Sequence, residues 1–287
     1  MPEAARVGDS HECHQVDGNH PHRGGEVMGP ASRTVMTGHQ PQARAGDRCH
    51  CDGPPDFITT GSASVYVDGM PAARKGDRTM HMPMGVIAAG DGSVRIGGPS
   101  EGTRLGIGDA GTALCEQAAA GRASGSTKQS YGNCGLESAR QLINLYRDEP
   151  VSEAALLRDA IDHGEASNER NERKRGGSTP VQRRRLLARY GVETFNVPNT
   201  MTAVAQAVAE GRGVITSHVS GILWGTTDTG GHAVLVTGIE FDAEGRIASV
   251  LINDTGKGRC GHIVSGDRFG RSLVRGLTAG VTRDVLR

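Results

Sequence analysis

The chain has 287 residues, with 32 lysines and arginines against 32 aspartates and glutamates, so its formal net charge is zero. That length leaves room for two domains, and the balance gives no electrostatic reason to expect nucleic acid or a lipid surface as partner. No apolar run approaches the roughly 20 residues of a membrane helix, and the start, Met1-Pro-Glu-Ala-Ala-Arg6, lacks the basic and apolar regions of a signal peptide. A chain made in the cytoplasm is expected, carried by a dedicated machine if it leaves the cell. The six cysteines, Cys13, Cys49, Cys51, Cys115, Cys134 and Cys260, are spread unevenly, which argues against a disulfide scaffold and for metal or catalytic use.

Residues 1–98 are rich in glycine and contain a repeat: Ala4-Ala-Arg-Val-Gly-Asp9, Gln42-Ala-Arg-Ala-Gly-Asp47 and Ala72-Ala-Arg-Lys-Gly-Asp77. Short β-rich runs precede the last two, and Asp68-Gly69 is a hairpin signal, so stacked small hairpins with almost no helix are predicted. So few large apolar residues can hardly hold such a segment together, and a staple is expected. His11, His22, Cys51 and His81 each come from a turn near the end of a repeat. Three imidazoles and a thiolate would make a closed, structural zinc site. Cys13, His14, His20, Cys49 and His50 lie near enough to compete as ligands, and solvated loop histidines are the bland alternative.

On these residues the segment resembles the PAAR-repeat family, the sharpened tip of the type VI secretion spike. The matching stretches are Met70-Pro-Ala-Ala-Arg74, Pro21-His-Arg-Gly-Gly25, Gly53-Pro-Pro-Asp56 and the closing Gly92-Ser-Val-Arg-Ile-Gly97. The resemblance implies a zinc-pinned cone of β-hairpins whose base docks on the trimeric valine-glycine-repeat spike protein. The middle repeat departs from the pattern, with Gln42 for alanine and one extra residue between Gly38 and Arg44.

Residues 99–127 carry repeated glycines around an alanine-rich piece and read as a linker with a helical turn or two. Cys115 within it reads as packing. Then Gln129-Ser-Tyr-Gly-Asn-Cys134 delivers a cysteine to a helix whose apolar stripe is Leu136, Ala139, Ile143 and Tyr146. A helix start favours thiolate over thiol, which suits a nucleophile. Further helices are predicted from Ser152 to about His163, from Pro180 to Gly191 and over about Thr202–Glu210, with strands at Val214–Val219, His232–Asp242 and Arg246–Asn253. The charged run 165–177 has no period and reads as a mobile solvated loop, with a substrate-contacting lid as the minor alternative.

His232 opens one strand and Asp254 closes the next. A three-residue Ala243-Glu244-Gly245 loop with Gly245 left-handed would place Asp254, rather than Asn253, on the histidine's face. Asp254 is then the group that orients the imidazole, with Asn253 as alternate, and Gln129 is a candidate donor to an oxyanion. His218, His262 and Cys260 read as bystanders.

The order Gln129, Cys134, His232, Asp254 resembles the papain-like superfamily. Asn133-Cys-Gly135 and Gly231-His-Ala-Val-Leu-Val-Thr-Gly238 look most like the bacterial double-glycine peptidases. Two departures stand out: Gln129 is five residues before the cysteine where that family usually has six, and threonine rather than proline follows Asp254.

The expectation is therefore a multidomain chain: a small zinc-stapled β-hairpin cone (1–98), a linker (99–127) and an α+β papain-like cysteine peptidase toxin domain (128–287). It implies a secreted effector that needs no catalytic cofactor and acts on protein in the recipient's cytoplasm, with a cognate immunity protein in the producer. Peptidoglycan amidase, glutamine deamidase and non-catalytic spike-tip adaptor are the alternatives.

Overall fold

The computed structural model describes residues 1–122 and 125–286. It divides into two compact units, residues 1–105 with 240–248, and residues 106–239 with those from 249 onward.

The first unit is built on the repeat. In each copy the aspartate N–H donates to the arginine carbonyl three residues earlier, at 3.1 Å for Asp9 and Asp47 and 3.0 Å for Asp77. The intervening glycines, Gly8, Gly46 and Gly76, have φ of 88°, 97° and 92°, a left-handed conformation that costs glycine little. Each aspartate carboxylate then accepts from the backbone N–H of its own arginine, Arg6, Arg44 or Arg74, at 2.7–2.9 Å. The three copies close a ring: Ala5 N–H donates to the Ala73 carbonyl (3.0 Å), Ala73 to Ala43 and Ala43 to Ala5 (both 2.9 Å). Only alanine-sized side chains fit where three backbones meet, and Ala4, Ala5, Ala43, Ala72 and Ala73 are all buried. Two-residue hairpins pair Val16–Asp17 with His20–Pro21, Met36–Thr37 with Gln40–Pro41, and Tyr66–Val67 with Met70–Pro71. Asp68 and Gly69 both have positive φ, as the tight turn demands. The altered middle repeat keeps its hairpin, and Gln42 is buried with its side-chain amide donating to the carbonyls of Ala43 and Ala73.

The second unit holds helices α1 (Gly108–Ala120), α2 (Cys134–Leu145), α3 (Glu153–Asp162), α4 (Pro180–Arg189), α5 (Met201–Ala209), α6 (Ser220–Trp224) and α7 (Gly266–Ser272). Its strands are β1 (Thr194–Pro198), β2 (Val214–Val219), β3 (Gly231–Phe241), β4 (Ile247–Asp254), β5 (Arg259–Ser265) and β6 (Thr278–Thr282), in the sheet order β1-β6-β2-β3-β4-β5. Local chemistry sets the helix starts. Ser152 caps α3 by accepting from Ala155 N–H, and Thr179 with Gln182 forms a complete capping box ahead of Pro180. The α2 stripe buries Leu136, Ala139, Leu142 and Ile143 in a core shared with Leu156, Leu157, Leu186 and Leu187 of α3 and α4. Tyr146, expected on that stripe, is the C-cap and is exposed, and Leu142 takes its place.

Three expectations need correction. The expected linker contains two short strands and the 13-residue α1, whose Leu114, Cys115 and Ala118 are buried; the rest of that stretch includes 123–124, outside the described residues. Cys115, read as packing, and Cys260 of β5, read as a bystander, are bonded to each other. The charged run is folded rather than free: Ser167 exchanges hydrogen bonds with Gly176 and Gly177, and the Glu172 carbonyl accepts from Gly132 N–H at 2.9 Å. Strands β1, β5 and β6 escaped prediction because each is short and mixes polar with apolar residues.

Candidate active site and metal centre

Cys134 is the first residue of α2. The turn before it is fastened by the buried Glu153 carboxylate, which accepts from Ser130 N–H (2.8 Å), Ser130 Oγ (2.7 Å) and Asn133 Nδ2 (3.2 Å). One turn along α2, the fully buried Glu137 accepts from Arg122 Nε at 2.7 Å and Arg140 Nε at 2.6 Å. Arg122 also donates to the carbonyls of Ser126 and Thr127, tying the chain before Gln129 to the helix that carries the cysteine.

The sheet supplies the other groups. His232 lies near the start of β3, and its Nε2 is 2.8 Å from Asp254 Oδ1 at the end of β4, which leaves Nδ1 for the Cys134 thiol. The loop between the strands is the predicted one: Gly245 has φ 81°, and Asp242 N–H donates to the Arg246 carbonyl. Asp254 Oδ1 also accepts from Gly256 N–H at 2.8 Å. A Cβ at Gly256 would lie 2.8 Å from His232 Cε1, so glycine is required there. Asn253 points to the other face, donating to the Gly111 carbonyl (2.6 Å) and Gln141 Oε1 (2.8 Å) and accepting from Gly261 N–H (2.9 Å). It locks α1, α2 and β5 to β4 instead of holding the imidazole.

Cys134 Sγ accepts from Ala233 N–H at 3.3 Å. Burial pushes its thiol up, but the hydrogen bond and charge of His232, the Ala233 N–H and the Arg183 guanidinium more than offset this and leave it below the ordinary cysteine value. For His232 burial works downward, while Asp254 and Cys134 outweigh it and raise the imidazole to about 10. Thiolate and imidazolium therefore coexist between the two values, which is the charge state of an activated cysteine nucleophile. Gln129 is fixed from both ends: its Nε2 donates to the Tyr131 carbonyl (2.8 Å) and its Oε1 accepts from Thr255 Oγ1 (2.7 Å). One amide hydrogen stays uncommitted. His218, opposite His232 on β2, is engaged by the hydroxyls of Thr216 and Ser272 at 2.7 Å each and is driven by burial to about 3, so it is neutral. His262 stacks on Trp224 at 5.3 Å.

Sequence reasoning passed over Arg183. It follows the capping box of α4 at the spacing of the buried Leu186 and Leu187, an arginine on the apolar stripe, and that position was the available signal.

In the first unit, Cys13, His22, Cys51 and His81 are buried and their ligand atoms lie within 4.8 Å of one another. Cys13 Sγ is 3.3 Å from His81 Nδ1, and Cys51 Sγ is 3.3 Å from His22 Nδ1. Asp17 Oδ2 holds His22 Nε2 at 2.9 Å, which turns Nδ1 inward. The quartet can hold a metal ion. It takes Cys13 in place of His11. Period-two alternation turns both residues to the same side, but His11 Nδ1 is beside the Gly25 carbonyl and its Nε2 is 3.4 Å from Asp56 Oδ2, which makes a second, overlapping group of His11, Cys13 and Asp56. Cys49, His14, His20 and His50 stand outside both groups. The Cys13 thiol is pushed to about 12, chiefly by burial and in part by Cys51, so it would stay protonated unless a cation compensated it. That donor set fits a tetrahedral divalent metal.

No curated protein matches the chain. Among solved structures, a protein described as a C39-like peptidase from Bacillus anthracis aligns at 15% identity over 53% of this chain and 90% of its own, with a TM-score of 0.39. A double-glycine-motif protease from an AMS/PCAT transporter, solved with its leader peptide, aligns at 16% over 54% and 87%, with a TM-score of 0.35. The PAAR motif model matches residues 17–82 and 57–100. With the cysteine at the start of α2, the histidine on β3 and a match running from α1 to β5 over residues 116–264, just over half its length, the chain belongs to the C39-like peptidase family and carries a PAAR motif ahead of that domain.

Proposed function

We propose that the chain is a type VI secretion effector in which a zinc-pinned PAAR tip delivers a cysteine peptidase that uses Cys134, His232 and Asp254. The observation that carries the enzymatic half is the Cys134 thiol at the start of α2, bonded to an imidazole whose far nitrogen is 2.8 Å from a buried carboxylate. The Cys134 thiolate attacks the scissile carbonyl carbon, and the oxyanion is met by Cys134 N–H and the free Gln129 amide hydrogen. The C–N bond breaks as His232 protonates the leaving amine, giving a thioester on Cys134. Water, deprotonated by His232, then attacks the thioester and releases the acid and the free thiol. The resemblance to double-glycine peptidases favours cleavage after small residues, a glycine pair foremost.

The metal role falls to Cys13, His22, Cys51 and His81. Zinc bound there would supply folding free energy to a unit with little apolar core. A PAAR motif implies binding to a spike protein. The ring of Ala5, Ala43 and Ala73 gives this single chain a pseudo-threefold arrangement, which suits a trimeric valine-glycine-repeat spike. A producer would need an immunity protein against the peptidase.

A second reading is favoured by one observation. The recipient's cytoplasm was preferred because no disulfide was expected, and Cys115–Cys260 removes that premise. A periplasmic amidase acting on peptidoglycan peptides would use the same groups.

The test expresses the chain in a recipient's cytoplasm and, separately, behind an export signal, then maps new protein N-termini and wall peptides. Killing from the cytoplasm with new N-termini, abolished by Cys134→Ala, supports the peptidase. Killing only after export, with cut wall peptides, replaces it with the amidase, and undiminished killing by Cys134→Ala rejects both. Asp254→Asn should lower turnover by roughly a thousandfold or more.

A further inference from the structure

Arg183 is 5% exposed, and among the described residues no acid is paired with its charge. Its hydrogen bonds run to neutral partners: Nη1 donates to the Ser178 carbonyl at 2.8 Å and Nη2 to Ser217 Oγ at 2.9 Å. No ion pair of Arg183 occurs among the described residues, although every other buried arginine, Arg74, Arg122 and Arg140, has a carboxylate. A buried cation without a counter-ion is costly, so its place needs a reason.

That place is behind the nucleophile. A Cβ on Gly135, the residue after Cys134, would lie 3.0 Å from Arg183 Nη1 and 2.9 Å from Cδ, so the missing side chain is what admits the guanidinium. Ser217, which accepts from Nη2, pairs across the sheet with Ala233, whose N–H donates to Cys134 Sγ. The Ser178 hydroxyl, buried with no partner, sits 2.6 Å from the same Cβ position. The one anion this constellation can produce is the Cys134 thiolate.

We propose that Arg183 is a positioning residue of the site, a fixed positive charge beside the start of α2 that adds to His232 in keeping Cys134 ionised. This rests on the peptidase or amidase reading only in needing Cys134 as the nucleophile. The charges facing the thiol are then His232 on β3, backed by Asp254 on β4, and Arg183 on α4. Glu153 is committed to the turn 130–133, Glu137 lies between Arg122 and Arg140, and His218 is neutral. The Cys134 charge in turn supports that of Arg183, which burial nevertheless draws down to about 10. Cys134 is thus the charge that compensates Arg183, while Arg183 adds to the larger effect of His232 on Cys134.

The test needs no substrate. Iodoacetamide alkylation of the full chain is followed against pH by mass on the peptide carrying Cys134. Wild type should react with an inflection well below a free cysteine, and an inflection at about 8.5 or above would reject the nucleophile reading itself. Given a low inflection, Arg183→Gln should raise it by roughly half a pH unit, and Arg183→Lys should restore most of it. An unchanged inflection in Arg183→Gln overturns the proposal. Should that variant fail to fold, Gly135→Ala decides: its Cβ would displace the guanidinium and should raise the inflection, and an inflection identical to wild type overturns the role given to Arg183.

Discussion

The two units solve the problem of holding together in opposite ways. The first buries alanines among a few larger side chains, with a core cluster of Ala5, Val27, Ala43, Cys49, Ile58, Ala73 and Ile87, and fixes its shape by polar geometry: three identical Arg-x-Gly-Asp turns and a Cys–His quartet. The second buries leucines and isoleucines between helices and sheet and spends its buried charges around one functional helix. A fold held by polar geometry can be narrow and repeat closely, but it depends on every clamp. One held by a core tolerates local irregularity, and an active site needs that latitude.

Metal removal should separate the units most sharply. Structural zinc in small domains is worth on the order of 10 kcal/mol of folding free energy. Chelation should unfold the first unit while the second keeps its melting transition, and metal analysis should read one zinc per chain, lost in His22→Ala with His81→Ala. Zero zinc, or a chelator-insensitive first transition, would end the contrast.

Next in size is the charge cluster under α2. Glu137→Ala strips the carboxylate from Arg122 and Arg140, all three buried, and should cost the second unit about 3–5 kcal/mol, the range for breaking a buried pair. Chemical denaturation measures it, and a loss under 1 kcal/mol would show that the core alone carries this unit.

Asn253→Ala removes three hydrogen bonds in the interior and should lower stability by about 1–3 kcal/mol, while leaving the pH dependence of Cys134 alkylation where it was. A moved inflection would return Asn253 to the place of imidazole orienter.

The effect that is smallest at neutral pH is a pH dependence. Burial depresses His218 from 6.5 to about 3, so the unfolded chain takes up a proton that the folded chain refuses. Its contribution is fully present above 6.5 and is lost as pH falls toward 3, at roughly 1 kcal/mol per pH unit. His218→Gln should flatten that slope in the second unit, and a slope identical to wild type would show that other groups set it.

Much of this was legible in residue order. The repeat fixed its own turn three times because Gly at the third position and Asp at the fourth encode it locally, and the capping residues Ser152 and Thr179 marked their helices for the same reason. That Asp254 and not Asn253 lies beside His232 was readable because hairpin loop length sets register, and register sets which face a side chain takes. Cys13 was the near miss. It shares a face with His11, and only the path of distant strands decided which sulfur or nitrogen met His81.

Sequence alone thus determined what depends on neighbours within a few residues: the repeated turns, the helix starts, the cysteine at a helix N-terminus and the histidine at a strand start. Tertiary structure decided what depends on contacts between distant segments. It joined Cys115 to Cys260 across 145 residues, folded the charged run onto Gly132, and set Arg183 behind Gly135. The physical reason is that each of these is settled by a space left between packed elements, and no local spacing of residue types encodes the size or polarity of that space.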